Sequence, residues 1–276
     1  MSRQGTRLGP YVLHELINSG GMSEIWLGTD AQGAPVAVRL MRNNSTFAFT
    51  ERKRFITGCE VLEKVGGHPL IIGYVEHGKI AGELALVMEY VEGDNLKMLM
   101  VNQDAVLGEN VAEVLIHTAT ALEHLHDGGF MHLDFKPENV LLTRNGGLRL
   151  IDFDLAQPIP NPPRKLDKNP GTPHYMAPEQ LLREPVDHRA DLWAWGVSAY
   201  ELLTGRKPFP GESADDVLRG QLNRKEFMAL SQFNADLPRG LERIIMRCLE
   251  REPDKRYPIT SVLVHELKQV LLLGSE

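Results

Sequence analysis

Two short motifs near the middle of the chain carry the side chains best suited to catalysis. The first reads HLDFKPEN at residues 132–139, and the second, DFD, begins at Asp152, eighteen positions after Asp134. Carboxylate and amide oxygens are the ligands that Mg²⁺ prefers, a lysine supplies a cation for a phosphate group, and a carboxylate can orient an attacking hydroxyl. This combination suits phosphoryl transfer. The alternative is that these Asp and Asn residues only form turns between strands.

The spacing and the flanking residues of the two motifs resemble the catalytic loop and the metal-binding motif of protein kinases. The resemblance implies that Asp134 and Lys136 are the catalytic residues, with Asp134 orienting the substrate hydroxyl and Lys136 lying near the γ-phosphate of ATP. It also implies that Asn139 and Asp152 hold Mg²⁺ or Mn²⁺.

The resemblance extends over nearly the whole chain. Residues 171–179 are similar to the substrate-binding and Ala-Pro-Glu segment of the family, and residues 191–196 look like the start of its buried central helix. Arg256 occupies the position at which the family has an arginine that pairs with Glu179, and we expect a structural contact there. Lys136 and the Gly-Thr pair at 171–172 match the serine/threonine branch, and Gly-Gly-Met at 20–22 is similar to bacterial members.

The same resemblance implies an ATP site between two lobes. A glycine turn would face the phosphates, apolar side chains would enclose the adenine from above (Ile25, Ala37) and below (Leu141), and backbone groups behind Met88 would bond to its edge. The expected nucleotide-binding residues are Ile17, Gly20, Gly21, Ile25, Ala37, Arg39, Met88, Glu89, Val91 and Leu141. Taken one at a time, the aliphatic members of this set are ordinary core residues.

The hydrophobic pattern predicts the elements that must position these residues. Alternating apolar residues from 11 to 40, broken by a glycine turn at 18–21, predict a strand meander, and helical spacing at 49–65 predicts one main helix. Further strands are expected at 71–76 and 84–90, and helices at 110–127, 191–203, 213–222, 241–249 and 259–272. The expected fold is α+β, a single bilobal protein-kinase domain over 1–276. It has a small β-rich N-lobe (about 8–90), a hinge (about 89–94) and a mostly helical C-lobe (about 95–273).

Composition excludes several other classes of protein. The formal net charge of −7 and the pI near 5.8 argue against a nucleic-acid partner, which would require a concentrated basic face. The two cysteines, Cys59 and Cys248, are too few for a disulfide framework and favour a reducing cytoplasm. Because no apolar run approaches the ~20 residues of a membrane span, no membrane segment is expected within this chain.

Several positions depart from the family pattern on the nucleotide side. Arg39 replaces the lysine that holds the α- and β-phosphates, and Gly58 stands where the glutamate that orients this lysine is expected. Asn18 and Ser23 replace loop glycines, and Asp154 replaces the glycine after Asp-Phe, where it could be an extra metal ligand or a source of repulsion. The usual ion pair is therefore expected to be absent. If that absence limits activity, Arg39→Lys combined with Gly58→Glu should raise it.

Control by phosphorylation of the loop that follows Asp154 is not expected. Leu133 replaces the arginine that binds a phosphorylated loop in many kinases, and between 153 and 177 only Thr172 and Tyr175 carry hydroxyl groups. The many prolines of this stretch predict a stiff, constitutive loop.

Two functions remain open from the sequence. The first is a protein serine/threonine kinase-like phosphotransferase of reduced or atypical efficiency, which moves the ATP γ-phosphate to a protein hydroxyl. The second is a pseudokinase that acts as a binding or scaffolding module. A small-molecule phosphotransferase fits less well, because residues 171–179 resemble machinery for protein substrates. The expected partner is a protein substrate or binding partner, and no pattern indicates an oligomeric state.

Overall fold

A six-stranded antiparallel sheet forms the first lobe of the computed structural model, which describes residues 3–42, 48–167, 171–225 and 227–274. The elements of this lobe, in chain order, are β1 (Arg7–Leu8), β2 (Tyr11–Ser19), β3 (Ser23–Thr29), β4 (Pro35–Met41), α1 (Ala48–Val65), β5 (Tyr74–Ile80) and β6 (Glu83–Glu89). The strands lie in the order β1-β2-β3-β4-β6-β5. The predicted meander and its single main helix are confirmed.

Strand β4 is buried on both faces, and its alternation directs one residue toward the cleft between the lobes. Val38 and Leu40 pack with Leu13 and Val87 in a small core inside the sheet. Since successive side chains of a strand point to opposite faces, Arg39 projects from the other side, where only 9% of it is exposed. The sheet therefore places this cation against the second lobe and not in solvent.

The second lobe is mostly helical and carries two small sheets. Its elements are β7 (Gly93–Asn95), α2 (Leu96–Asn102), α3 (Ala105–Glu109), α4 (Val111–Asp127), β8 (Phe130–Met131), β9 (Val140–Thr143), β10 (Leu148–Leu150), β11 (Gln157–Pro158), α5 (Pro178–Leu181), α6 (Arg189–Thr204), α7 (Ala214–Asn223), α8 (Arg239–Cys248) and α9 (Thr260–Leu272). The sheets have the strand orders β10-β9-β7 and β11-β8.

Helix α6 is the centre of this lobe. Every residue from Ala190 to Glu201 is buried, including Trp193 and Trp195, which are among the largest fully buried side chains. A helix that is apolar all round belongs in a core, so the prediction of a buried central helix is confirmed. The helix thereby offers a rigid base for the loops that cross its N-terminal end.

Some boundaries differ from the sequence-based prediction. The strand expected at 71–76 begins at Tyr74, because Ile71 forms a bridge to Leu150 and the Ile72 amide donates to the Leu150 carbonyl, 3.1 Å away. The backbone there joins the two lobes before it enters the sheet. The segment expected to be a plain connector after Tyr90 forms β7, and helices α2 and α3 were not predicted. Among the described residues, no helix is long and apolar enough to cross a membrane.

Candidate active site

The loop between β8 and β9 is held from below by Asp191 on α6. Its carboxylate accepts hydrogen bonds from the amides of His132 (2.7 Å) and Leu133 (2.8 Å), and His126 Nε2 lies 2.8 Å from the same group. Burial disfavours the charged form, but these hydrogen bonds outweigh it and lower the pKa of Asp191. Leu133 has φ of 63°, a left-handed backbone that a leucine adopts only when its surroundings impose it. Asp191 is therefore a positioning residue that sequence reasoning missed.

Asp134 lies in a cluster of three functional side chains. Lys136 Nζ is 2.7 Å from Asp134 Oδ2 and 3.0 Å from the Thr172 hydroxyl, which in turn lies 3.4 Å from Asp134 Oδ1. The sequence separates Thr172 from Asp134 by 38 positions. The fold thus joins the predicted catalytic residues to the start of the segment that resembles substrate-binding machinery.

Gly171 allows the close approach of this segment. Its φ is 132°, which side chains rarely adopt, and a Cβ there would lie 2.9 Å from Met176 Cε and 3.3 Å from the Leu133 carbonyl oxygen. A larger residue would push the segment away from Asp134. Glycine is therefore required at residue 171 because a side chain there would clash with the catalytic loop.

The two predicted metal ligands lie on adjoining strand ends. The Ile151 amide donates to the Asn139 carbonyl (2.9 Å), which places Asp152 beside the loop that carries Asn139. Asn139 Nδ2 donates to the Asp134 carbonyl (2.8 Å). The Oδ1 atom of Asn139 is therefore the atom that could bind a metal ion. Asp152, with φ of 64°, keeps a side chain that is 39% exposed.

These two oxygen donors fit a hard divalent cation. Among the described residues, no cluster of three or more His, Cys, Asp or Glu side chains could hold a metal without other ligands. A site with one or two protein ligands is typical of Mg²⁺ that is also held by substrate phosphates. The donor set thus suits a metal that arrives with a nucleotide.

Most of the expected nucleotide-binding residues lie on the strands of the first lobe and in its connection to the second. In the sheet, Ile25 lies opposite Arg39, and Ala37 lies opposite Met88. The Glu89 amide donates to the Gly73 carbonyl (2.7 Å), so only the Glu89 carbonyl remains to meet a base edge. Val91 packs against the main core, as does Met88.

The remaining expected nucleotide residues lie at the ends of this surface. Leu141 on β9 is half-buried and lies opposite Asn95 in the small sheet, Gly20 closes the turn between β2 and β3, and Gly21 has open space where a Cβ would stand. Ile17 is 48% exposed. The assignment of all these residues to nucleotide binding stays a prediction.

The ion pair of Arg39 is with Asp154, and its contact with helix α1 is with the Phe55 ring, whose centroid lies 5.3 Å from the guanidinium carbon. The Nη1 and Nη2 atoms of Arg39 lie 2.8 and 2.6 Å from the two carboxylate oxygens of Asp154, and its Nε donates to Ser23 Oγ at 3.0 Å. A further contact of 3.6 Å reaches Asp152. The absence of the usual pair with α1 is confirmed for the described residues, but the two roles considered for Asp154 were incomplete. Asp154 is the partner of the substituted cation.

The electrostatics of this pair follow from its burial. Arg39 and Asp154 each have side chains only 11% exposed. Burial disfavours the charged guanidinium, but Asp154 and Asp152 outweigh it and raise the pKa of Arg39. Burial raises the pKa of Asp154, Arg39 opposes that effect, and Asp152 adds to it. The guanidinium is therefore a permanent cation at the cleft.

Two further contacts support the segment after Gly171. Arg256 forms the expected pair with Glu179, with its two Nη atoms 2.7 and 2.8 Å from the carboxylate oxygens, and both side chains are buried. The Tyr175 hydroxyl donates to Glu201 (2.6 Å). Burial, and secondly this carboxylate, raise the pKa of Tyr175. Tyr175 is only 3% exposed, so its hydroxyl belongs to the core.

The fold and the clustered motifs define a protein kinase domain. The family model for the protein kinase domain matches residues 11–267, and the chain belongs to this family. It is 33% identical over 90% of its length to the probable serine/threonine-protein kinase SCO3848 of Streptomyces coelicolor, of which it covers 38%.

Other bacterial relatives show similar identity. The serine/threonine-protein kinase PknB of Mycolicibacterium smegmatis is 29% identical over 94% of this chain and is covered to 43%. The serine/threonine-protein kinase PknH of Mycobacterium tuberculosis is 29% identical over 93% of this chain, and the chain covers 41% of its length. The chain thus spans about two fifths of the length of these relatives. The resemblance to bacterial serine/threonine kinases seen in the sequence is confirmed.

Proposed function

We propose that this chain is an ATP-dependent protein kinase domain that transfers the γ-phosphoryl group to serine or threonine hydroxyls of a protein. The observation that carries the proposal is the cluster in which Asp134 contacts both Lys136 and Thr172. Relatives named as serine/threonine kinases support the same conclusion. The unusual Arg39 is consistent with an atypical efficiency.

Each side chain has a role that its position allows. Asp191 holds the backbone of His132 and Leu133, directly before Asp134, and Asp134 would accept the proton of the attacking hydroxyl. Lys136, held between Asp134 and Thr172, would meet the γ-phosphate, and Thr172 would link this pair to a protein substrate that binds along residues 171–179. Asn139 and Asp152 would hold Mg²⁺ or Mn²⁺. Bound with ATP, that ion supplies charge neutralisation on the transferred phosphoryl group.

The pseudokinase alternative is favoured by one observation. Three of the five N–H donors of Arg39 already bond to Ser23 and Asp154. A cation committed to the protein has fewer donors for phosphates, and binding without transfer would then be the outcome. Two donors nevertheless remain, one on each terminal nitrogen, so the geometry permits a phosphate contact.

The remaining proposals concern the surroundings of the domain. The two thiols, Cys59 and Cys248, are buried and unbridged, which suits a reducing compartment and a cytoplasmic location. The expected partner is a protein that presents a hydroxyl group, and no nucleic-acid partner is proposed.

The test combines binding and transfer. Calorimetry measures Mg²⁺-dependent ATP binding, and labelled ATP measures phosphate transfer to a generic protein substrate. Asp134→Asn should lower transfer at least about 100-fold, the usual contribution of a general base, and should keep ATP affinity within about twofold. Asp254→Asn, on a side chain that is 92% exposed, is the matched control and should leave both unchanged. Binding without transfer by the unaltered chain would select the pseudokinase.

A further inference from the structure

Four of the positions that depart from the family pattern meet in one cluster. Arg39 bonds to Ser23 and to Asp154, and Gly58 lies directly beside Asp154. These residues come from β3, β4, α1 and the metal-binding motif, so they are far apart in sequence. Their contacts mean that these four departures have to be explained together.

Gly58 provides the space that Asp154 occupies. A Cβ at residue 58 would lie 2.8 Å from Asp154 Oδ1 and 2.9 Å from both its Cα and its backbone nitrogen. Two of these are backbone atoms, which cannot rotate away. A side chain at residue 58 therefore does not fit while the backbone and carboxylate of Asp154 stand in this place, and the family glutamate would require this segment to move.

We propose that Asp154 is the positioning residue for Arg39 and that it replaces, from the metal-binding motif, the carboxylate that the family places on the helix at Gly58. The role of this contact in nucleotide binding rests on the proposed function, whereas the contact between Arg39 and Asp154 does not. Both arrangements contain one cation and two carboxylates, so the local formal charge is conserved although the cation and one of the two carboxylates have changed.

The change from lysine to arginine follows from the new partner. A guanidinium is a planar fork that meets a carboxylate with two parallel hydrogen bonds and still has other donors. Arg39 uses its two terminal nitrogens for Asp154 and its Nε for Ser23, at 3.0 Å. Ser23 supplies an acceptor that a loop glycine could not. A lysine has one nitrogen and could not hold this arrangement.

The new location of the carboxylate changes what controls the site. In kinases generally, the ion pair between strand and helix depends on the position of the helix, which makes the helix a regulatory element. Here the partner of Arg39 lies two residues after Asp152, the expected metal ligand. Neither member of this ion pair lies on α1. Asp154 engages both terminal nitrogens of Arg39, and Asp152 has only one longer contact with Arg39, at 3.6 Å.

A double-mutant cycle tests the contact without any need for activity. Arg39→Met and Asp154→Asn should each lower the melting temperature by several degrees, since each leaves a buried charge without its partner. The double variant should melt near the single variants, because the second change removes a charge already stranded. Arg39→Met combined with Asp254→Asn is the control and should be additive. Additivity between Arg39 and Asp154 would overturn the proposal.

Binding to nucleotides tests the positioning role. Without the charge of residue 154, Arg39 is expected to turn to Asp152 and compete with the metal. Asp154→Asn should therefore raise the Kd for ATP with Mg²⁺ about tenfold and change the Kd for ATP without Mg²⁺ less than about twofold. Equal losses would indicate a merely structural role and refute the positioning. If the unaltered chain binds no nucleotide, the proposed function fails, and the melting cycle still decides the contact.

Gly58→Ala tests the steric part of the proposal. Alanine normally favours a helix over glycine, yet here it should lower the melting temperature by several degrees. Gly108→Ala, also in a helix but with no atom within 4 Å of the new Cβ, is the matched control and should not destabilise. Equal behaviour of the two variants would show that Gly58 does not make room for Asp154.

Discussion

Replacement of Asp191 by alanine should detach the loop that carries Asp134 from helix α6. The change removes both oxygens that accept from the His132 and Leu133 amides at 2.7 and 2.8 Å. A buried N–H left without an acceptor costs about 1–3 kcal/mol, so the two together predict a loss of about 2–6 kcal/mol. Domains of this kind have about 5–15 kcal/mol in total. The left-handed Leu133 also loses the contact that holds it, so we expect Asp134 to move.

Urea unfolding, monitored by tryptophan fluorescence, measures this loss of unfolding free energy. Asp254→Ala, at an exposed carboxylate that pairs with Arg189, serves as the control and should change stability by no more than about 1 kcal/mol. Phosphate transfer should fall further than stability alone explains, because the fraction that remains folded has a displaced Asp134. A loss below about 1 kcal/mol, or unchanged transfer by Asp191→Ala, would refute the claim that Asp191 positions this loop.

The same carboxylate predicts how stability depends on acidity. The pKa of Asp191 in the folded chain lies below its ordinary value of 3.8. A depressed pKa means that its contribution is fully present above about pH 4 and is lost as the pH falls through the folded value. Stability measured from pH 6 to pH 3 should therefore fall less steeply at the acid end for Asp191→Asn than for the unaltered chain. Parallel curves would show that another group dominates.

Three further outcomes follow from the site. Arg39→Lys combined with Gly58→Glu should weaken, and not restore, Mg²⁺-dependent ATP binding in calorimetry, because the glutamate has no space; tighter binding would disprove the steric argument. Glu179→Gln should cost about 3–5 kcal/mol in urea unfolding, since it leaves Arg256 buried without a counter-charge, and a loss below about 1 kcal/mol would contradict this. Thr172→Ala should lower transfer while Thr172→Ser retains most of it, and equal rates for the two variants would exclude a role for the hydroxyl.

Much of the fold follows from local pattern. The spacing of Phe55, Cys59, Leu62 and Val65 predicts α1 because one helical face must be buried, and these four residues are buried in the structure. Helices α2 and α3 were missed because they are short. Each begins at a capping side chain, Asn95 for α2, a signal that could have revealed it.

The catalytic motifs were also recognisable, because phosphoryl transfer requires particular residue types at a particular spacing. The sequence placed Asp191 at the start of a segment that resembles the central helix of the family, but it did not reveal what the Asp191 carboxylate holds. Its role depends on two backbone amides 58 and 59 positions away. A carboxylate among the apolar residues at the start of this helix was a signal available in the sequence.

The sequence by itself determined the two-lobed architecture, the membership of a serine/threonine-type kinase family and the identity of the candidate catalytic groups. Only the tertiary structure decided what the departures mean. In the sequence, Arg39, Gly58 and Asp154 are three separate departures from the family pattern. In the structure, Arg39 and Asp154 form one buried ion pair, and Gly58 leaves space beside it. The physical reason is that an ion pair and a steric exclusion depend on distances of about 3 Å between atoms, and a residue's place along the chain carries no such distance.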